Sequence, residues 1–291
     1  MTALRQRVPA PLQRVGRQAY VETGRLVPGL QRVQPQFLLI GGQRCGTTSL
    51  FRALMQHPRV IRPSFHKGIN YFDVSYHRGP EWYAAHFPLQ RRAEASTAPE
   101  SPVAFEASGY YMFHPWAAER IAADLPDIKL VALLRDPVER AYSAWKHEHA
   151  RGFETASFED ALELEDERVR PEVTRMRKDP GYYSAVHRHQ AYRGRGEYLD
   201  QLRRYTSLLS RDQLYVMYSE DFFRDPRGEF SGLCSFLGID PLETLEAKQY
   251  NARPSASMPA AARSRLSAHF AEGRGALEEF VGRPAPWPTG D

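Results

Sequence analysis

The residues QFLLIGG at 36–42 form a short unbroken apolar run that ends in two glycines. A run of this length with no polar alternation predicts a strand buried on both faces. Behind it, TTSLFRALMQHP places Leu50, Phe51, Leu54 and Met55 at helical spacing, with a threonine cap before them and Pro58 as the stop. The same order recurs in IKLVALLRDPVERAYSAWKHEHARG: an apolar strand over Ile128 to Leu134, a turn at Arg135-Asp136-Pro137, then a helix. A third buried strand is expected in DQLYVMYSEDF, followed by a helix in PRGEFSGLCSFLGI that Gly238 ends. Two strand-to-helix units of this kind imply a parallel sheet with crossover helices, hence an α/β, P-loop-like three-layer fold with a central parallel sheet flanked by helices.

The remaining segments fill in around that frame. PEWYAAHFP reads as a short helix between prolines, VAFEAS as a strand, and PWAAERIAADLP as a helix presenting Trp116, Ile121 and Leu125. SFEDALELEDE starts like a capping box, with Ser157 three residues before Asp160, whereas PEVTRMRKDPGYYS is polar and punctuated by proline and is expected to be a mobile loop. GEYLDQLRRYTSLLS and the tail SMPAAARSRLSAHFAEGRGALEEFVG are expected to be helical. Residues 1–35 interrupt their apolar positions with arginines every few residues and are expected to be a loose basic arm or short helices ahead of a domain spanning 36–291. That pattern leaves no secretory core and no transmembrane segment.

Composition narrows the function only a little. The chain is 42% hydrophobic and 25% charged, ordinary values for a folded protein. A net charge of +4 suits an anionic ligand. No nucleic-acid motif accompanies it, so no nucleic-acid partner is expected. Two cysteines, Cys45 and Cys234, make neither a disulfide framework nor a four-thiolate zinc site, and a reducing, cytoplasmic location is expected.

The chemistry concentrates in LLIGGQRCGTTSL. Gly41 and Gly46 have the spacing of a P-loop, yet Thr47 stands where its lysine belongs. A glycine loop feeding a helix N-terminus is an anion site whatever its side chains are. The candidate binding set is therefore Arg44, Cys45, Gly46, Thr47, Thr48 and Ser49, with Arg44 able to reach an anion without a metal. The other strand tips read Leu-Leu-Arg-Asp-Pro and Met-Tyr-Ser-Glu-Asp, which gives an arginine and no convincing magnesium carboxylate. Arg135 ends a strand and Ser143 lies about two turns into the next helix, on the face turned back to that strand end. Both can grip one phosphate. A cradle of this kind fits a single phosphate or a phosphosulfate.

GxxxxGTT and R-D-P-x-x-R-A-x-S together resemble the 5′-phosphosulfate loop and 3′-phosphate motif of sulfotransferases that use 3′-phosphoadenosine 5′-phosphosulfate (PAPS). KGINYFDVSYHRGPEWYAAHFP, FEASGYY and RGEYLDQLRRYTSLLSRDQLYVMYSEDFFRDP are similar to segments of the heparan-type carbohydrate sulfotransferases and their bacterial relatives, in the same order over 36 to about 285. The resemblance implies PAPS as donor and 3′-phosphoadenosine 5′-phosphate (PAP) as product, with no metal, and a hydroxyl of a glycan or glycosylated small molecule as acceptor. It implies that Lys67 orients the sulfonate, that Asp73 and Glu106 meet the acceptor, and that Arg193 or Arg195 assists the nucleotide. Two positions depart from the pattern: Ala107 stands where many relatives carry lysine, and Gly68 stands where the catalytic glutamate belongs. The base must then come from elsewhere among His66, Lys67, Asp73, His77 and Glu106, and His66 has the most suitable ordinary pKa. The alternatives are a P-loop kinase or NTPase, and a catalytically impaired homologue that binds PAPS or PAP.

Overall fold

The computed structural model describes residues 10–25, 30–248 and 257–288. Positions 1–9 and 26–29 of the expected arm lie outside the described residues. Five strands, β1 (Pro35–Gly41), β2 (Val60–Ile61), β3 (Val103–Glu106), β4 (Lys129–Leu134) and β5 (Leu214–Tyr218), pair in parallel in the order β2-β3-β1-β4-β5. Phe37 to Ile40 and Leu130 to Leu134 are completely buried, as the unbroken apolar runs required. Among the described residues the helices are α1 (Ala10–Arg25), α2 (Thr47–Leu54), α3 (Pro80–Ala84), α4 (Gln90–Thr97), α5 (Ala117–Asp124), α6 (Pro137–His149), α7 (Phe158–Glu163), α8 (Glu165–Lys178), α9 (Ala185–His189), α10 (Tyr198–Thr206), α11 (Ser219–Arg224), α12 (Pro226–Leu237) and α13 (Ala260–Val281).

The strand order decides where a ligand can sit. From β1 the chain goes to β2 and returns through β3 on one side of β1, and then places β4 on the other. Crossovers leaving in opposite directions open a crevice beyond the carboxyl ends of β1 and β4. Both phosphate motifs emerge there. Leu38 pairs with Leu130 and Leu39 with Val131, and the Gly42 N–H donates to the Leu133 carbonyl at 2.8 Å, so the two motif loops start side by side. A second apolar cluster fixes α6: Val138, Ala141 and Tyr142 pack with Phe158 and Leu162 of α7 and Leu266 of α13.

One expectation is corrected. The segment expected to be a loop after residue 170 is mostly helix, because α8 continues through Pro171 to Lys178. Met176 is buried, its carbonyl accepts from the Trp116 indole at 2.6 Å, and the helix runs from acidic Glu165, Asp166 and Glu167 to basic Arg175, Arg177 and Lys178, matching the macrodipole. Of the two forms expected for the arm, the described part takes the helical one. In α1, Val21 is buried, Tyr20 meets the Phe65 ring edge-on at 5.2 Å, and Glu22 pairs with Arg78.

Candidate active site

The first loop turns sharply before α2. Arg44 has φ 67° and Gly46 φ 84°, and a Cβ on Gly46 would stand 3.2 Å from both the Phe223 ring and Ser219 Oγ. Glycine is thus needed at 46 for backbone and for space. No side chain caps α2; the Ser49 N–H bonds to the Gly46 carbonyl at 2.8 Å, and the N–H groups of Thr47 and Thr48 lead the helix at its open end. Into this place comes Lys67, whose Nζ lies 3.0 Å from Thr47 Oγ1 and 3.5 Å from Thr48 Oγ1. The ammonium absent from position 47 is delivered by the segment after β2. Burial lowers the Lys67 amine to about 8.

The second motif closes on the first. Arg44 Nε donates to Ser143 Oγ at 3.1 Å, and an Arg135 amino group donates to the Arg44 carbonyl at 3.4 Å. Lys146, one turn beyond Ser143, has its amine lowered by burial first; Glu139 opposes that, and the charges of Arg135 and Arg44 reinforce it. Arg44, Arg135 and Ser143 are thus joined by hydrogen bonds, and the Lys146 ammonium, 4.4 Å over the Tyr142 ring, feels both guanidinium charges. The neighbouring acids are otherwise engaged: Asp136 caps α6 by accepting from the Val138 N–H, and Glu139 pairs with Arg263 at 2.6 Å.

A cavity of about 320 Å³ opens beside the loop, bounded by Gln43, Lys67, Gly68, Ser108, Tyr110, Glu148, His189 and Arg195 among others. Its floor explains Gly68. The Ala107 N–H donates to the Lys67 carbonyl at 2.9 Å, and a Cβ on Gly68 would sit 2.5 Å from the Ala107 carbonyl oxygen and 2.7 Å from Ser108 Oγ. The exit of β3 runs too close for any side chain there.

Several expected site residues are placed elsewhere. His66 is exposed on the α1 side and does not line the cavity; burial, then Arg17 and Arg62, lower its imidazole. Glu106 is wholly buried and accepts from Tyr111 Oη, from Ser108 Oγ at 2.7 Å and from the Ile69 N–H at 2.9 Å, so it ties the 67–73 segment to β3. Burial raises its carboxyl to about 7. Arg193 turns its guanidinium to Asp166 at 2.5 Å, while its N–H and those of Tyr192 and Gly194 cradle buried Glu165. Cys45 is fully buried with Sγ 3.7 Å from Tyr198 Oη and its thiol pushed up to about 11 by burial, and Ser49 is buried with its N–H on the Gly46 carbonyl; both hold the loop's shape from beneath.

Arg195 does reach the cavity. Its guanidinium donates to Gln43 Oε1 at 2.9 Å and to the Arg188 carbonyl at 2.6 Å, and lies 5.0 Å over the Tyr110 ring. Asp73, buried, accepts from Asn70 Nδ2 at 2.8 Å and borders an adjoining cavity of about 210 Å³ with Tyr110, His114 and Arg120; burial raises its carboxyl. Of the aromatic residues near the site, Tyr71, Phe72, Tyr83 and Tyr111 pack on one another in the core, leaving Tyr110 on both cavities. Sequence reasoning missed Gln43, Glu148 and His189. Their one sequence signal was the His-Glu-His run at the end of α6, and His189 comes from a separate five-residue helix.

A parallel-sheet crevice that joins an uncapped helix N-terminus to a cation cluster defines a binder of phosphorylated or sulfated anions. The sulfotransferase domain family matches residues 34–258, and the chain belongs to that family. It is 28% identical over 218 residues to the bifunctional heparan sulfate N-deacetylase/N-sulfotransferase 4 of Mus musculus, covering 71% of this chain and 22% of that protein. A membrane-associated sulfotransferase of Dictyostelium discoideum is 39% identical over 111 residues, 38% of this chain and 22% of that one. The chain thus spans about a fifth of the length of these relatives. The crystal structure of a sulfotransferase from Alicyclobacillus acidocaldarius superposes with a TM-score of 0.65 at 29% identity, covering 86% of this chain and 97% of that one. No helix among the described residues is long and apolar enough to cross a membrane.

Proposed function

We propose that the protein is a PAPS-dependent sulfotransferase that moves a sulfuryl group to a hydroxyl of a carbohydrate or glycosylated small molecule. The observation that carries this reading is the meeting of Lys67 with Thr47 and Thr48 on one side of the crevice and of Arg44, Arg135 and Ser143 on the other. Anion-binding groups on two neighbouring motif loops suit a nucleotide phosphorylated at both the 5′ and the 3′ position of its ribose. Bound PAPS supplies the activated sulfuryl group and a phosphate leaving group.

In this reading the chain's work is positioning and charge stabilisation. The α2 N-terminus, Thr47, Thr48 and Lys67 hold the 5′-phosphosulfate and stabilise negative charge growing on the bridging oxygen. Arg135 and Ser143 hold the 3′-phosphate, and Arg44 spans the two. Asp73 and Tyr110, on the adjoining cavity, orient the acceptor. The carbohydrate acceptor is supported by the names of the heparan sulfate relatives, and a cytoplasmic location by two free buried cysteines, Cys45 and Cys234.

Incubating the protein with radiolabelled PAPS and with N-acetylated or N-deacetylated glucosaminyl oligosaccharides tests the reading. Label is expected in the oligosaccharide with stoichiometric PAP. Transfer only to the free amine would correct the acceptor group, and phosphoryl transfer from ATP with magnesium in place of sulfuryl transfer would defeat the proposal.

A further inference from the structure

The close approach of Ala107 to Gly68 leaves the site without a glutamate at that position. The same cavity wall carries another proton acceptor. Glu148, at the end of α6, is buried; its Oε1 accepts from Gln43 Nε2 at 3.0 Å and its Oε2 lies 3.0 Å from His189 Nδ1 and 3.2 Å from an Arg151 amino group. Gln43 is itself a residue of the phosphosulfate loop, held at its other end by Arg195. Toward an ionised carboxylate Nδ1 must be the donor, which leaves the lone pair on Nε2. The ring is fixed further by stacking on Phe153 at 4.1 Å and 5°.

We propose that His189, positioned by Glu148, is the general base for the acceptor, replacing the glutamate that Gly68 excludes. The proposal rests on the sulfotransferase reading. His189 Nε2 takes the acceptor hydroxyl proton as the acceptor oxygen bonds to sulfur. The bond from sulfur to the 5′-phosphate oxygen breaks, its electron pair stays on that oxygen, and the imidazolium then returns its proton to water. Base, orienting carboxylate and loop are joined in one hydrogen-bonded line, the arrangement in which a carboxylate fixes the tautomer of a catalytic imidazole. Tyr183 Oη lies 3.4 Å from Nε2 and is 46% exposed, so an acceptor hydroxyl can take its place.

The groups that face His189 are Glu148 at the end of α6, Arg151 just beyond it, Tyr183 ahead of α9, and Arg188, Arg195 and Lys67 on the same cavity wall. The test compares wild type, His189→Gln and Glu148→Gln, measuring sulfuryl transfer to the oligosaccharide, slow PAP release with water as acceptor, and PAP binding. His189→Gln is expected to lose about 100-fold or more in kcat, and the acidic limb of its pH profile, with PAP affinity unchanged. Glu148→Gln is expected to lose less in kcat, with KM for the oligosaccharide and PAP affinity unchanged, the mark of a residue that positions the base. A His189→Gln enzyme that keeps kcat and the limb overturns the proposal, as does a parallel loss of PAP affinity in both variants, which would mark a structural pair. A wild-type chain that neither transfers nor releases PAP defeats the sulfotransferase reading instead, and this proposal with it.

Discussion

Lys67 is the residue whose placement changes the chemistry most, because its ammonium occupies the position that Thr47 leaves without a charge. With burial holding the amine at about 8, the free protein carries this charge below that pH and loses it above. Binding a phosphate dianion favours the charged form, so above about pH 8 binding must take up a proton. PAP affinity, followed by calorimetry, is therefore expected to stay flat below pH 8 and fall by up to about tenfold per unit above it. In Lys67→Arg the decline is expected to vanish, since a guanidinium stays charged throughout. Lys67→Ala is expected to lose about 100- to 1000-fold in kcat, the usual cost of removing a donor from developing negative charge. Gly68 makes the converse point. Restoring the family's glutamate there would drive a Cβ to 2.5 Å from the Ala107 carbonyl oxygen. Gly68→Glu is thus expected to lower the melting temperature by about 3 to 10 °C without raising activity, as read by calorimetry and sulfuryl transfer.

At the scale of elements, α6 carries half of the proposed nucleotide site, and its cluster with α7 and α13 holds the helix that bears Ser143 and Lys146. Ser143→Ala is expected to weaken adenosine 3′,5′-bisphosphate binding about 10- to 100-fold while leaving 5′-AMP binding within about threefold, the sign of a lost 3′-phosphate contact. Equal losses for both nucleotides would remove Ser143 from that role. The tie between β3 and the Lys67 segment is the buried Glu106, which satisfies three donors at once. Glu106→Gln sets an amide NH2 against those donors, and chemical denaturation is expected to show a loss of about 2 to 4 kcal/mol. These elements were unevenly legible in the sequence. The apolar strands, the glycine turn before α2, the Arg135-Asp136-Pro137 turn before α6 and the Arg135 to Ser143 spacing could be read directly, since each is a local pattern. The α8 helix could not, because Pro171 suggests a break that burial of Met176 and the Trp116 bond override. His66 is exposed near the charge of Arg17 in α1, and the Glu148–His189 contact joins residues 41 apart. Neither leaves a local trace.

For the whole molecule, the sheet order gathers positive groups from three separate stretches of the chain, around positions 44, 67 and 135–146, into one crevice. Like charges held together cost stability until an anion arrives, so ligand binding and folding are linked more strongly here than net charge suggests. A ligand at 100 times its dissociation constant stabilises by about 2.7 kcal/mol, worth about 5 to 10 °C in a domain of this size. Adenosine 3′,5′-bisphosphate is expected to give such a shift in a thermal melt, and ATP with magnesium a much smaller one, because in the proposed site Lys67 and Ser143 serve phosphates on different ribose positions. The shift should shrink as salt rises, since it comes from charge meeting charge in a partly open crevice. Arg135→Ala should abolish most of the difference between bisphosphate and 5′-AMP, whereas a substitution on the far side of the sheet, such as Arg211→Ala, should leave it intact. A larger shift from ATP with magnesium than from the bisphosphate would show that the crevice is built for a triphosphate after all, and the positioning argued for Lys67 would fall with it.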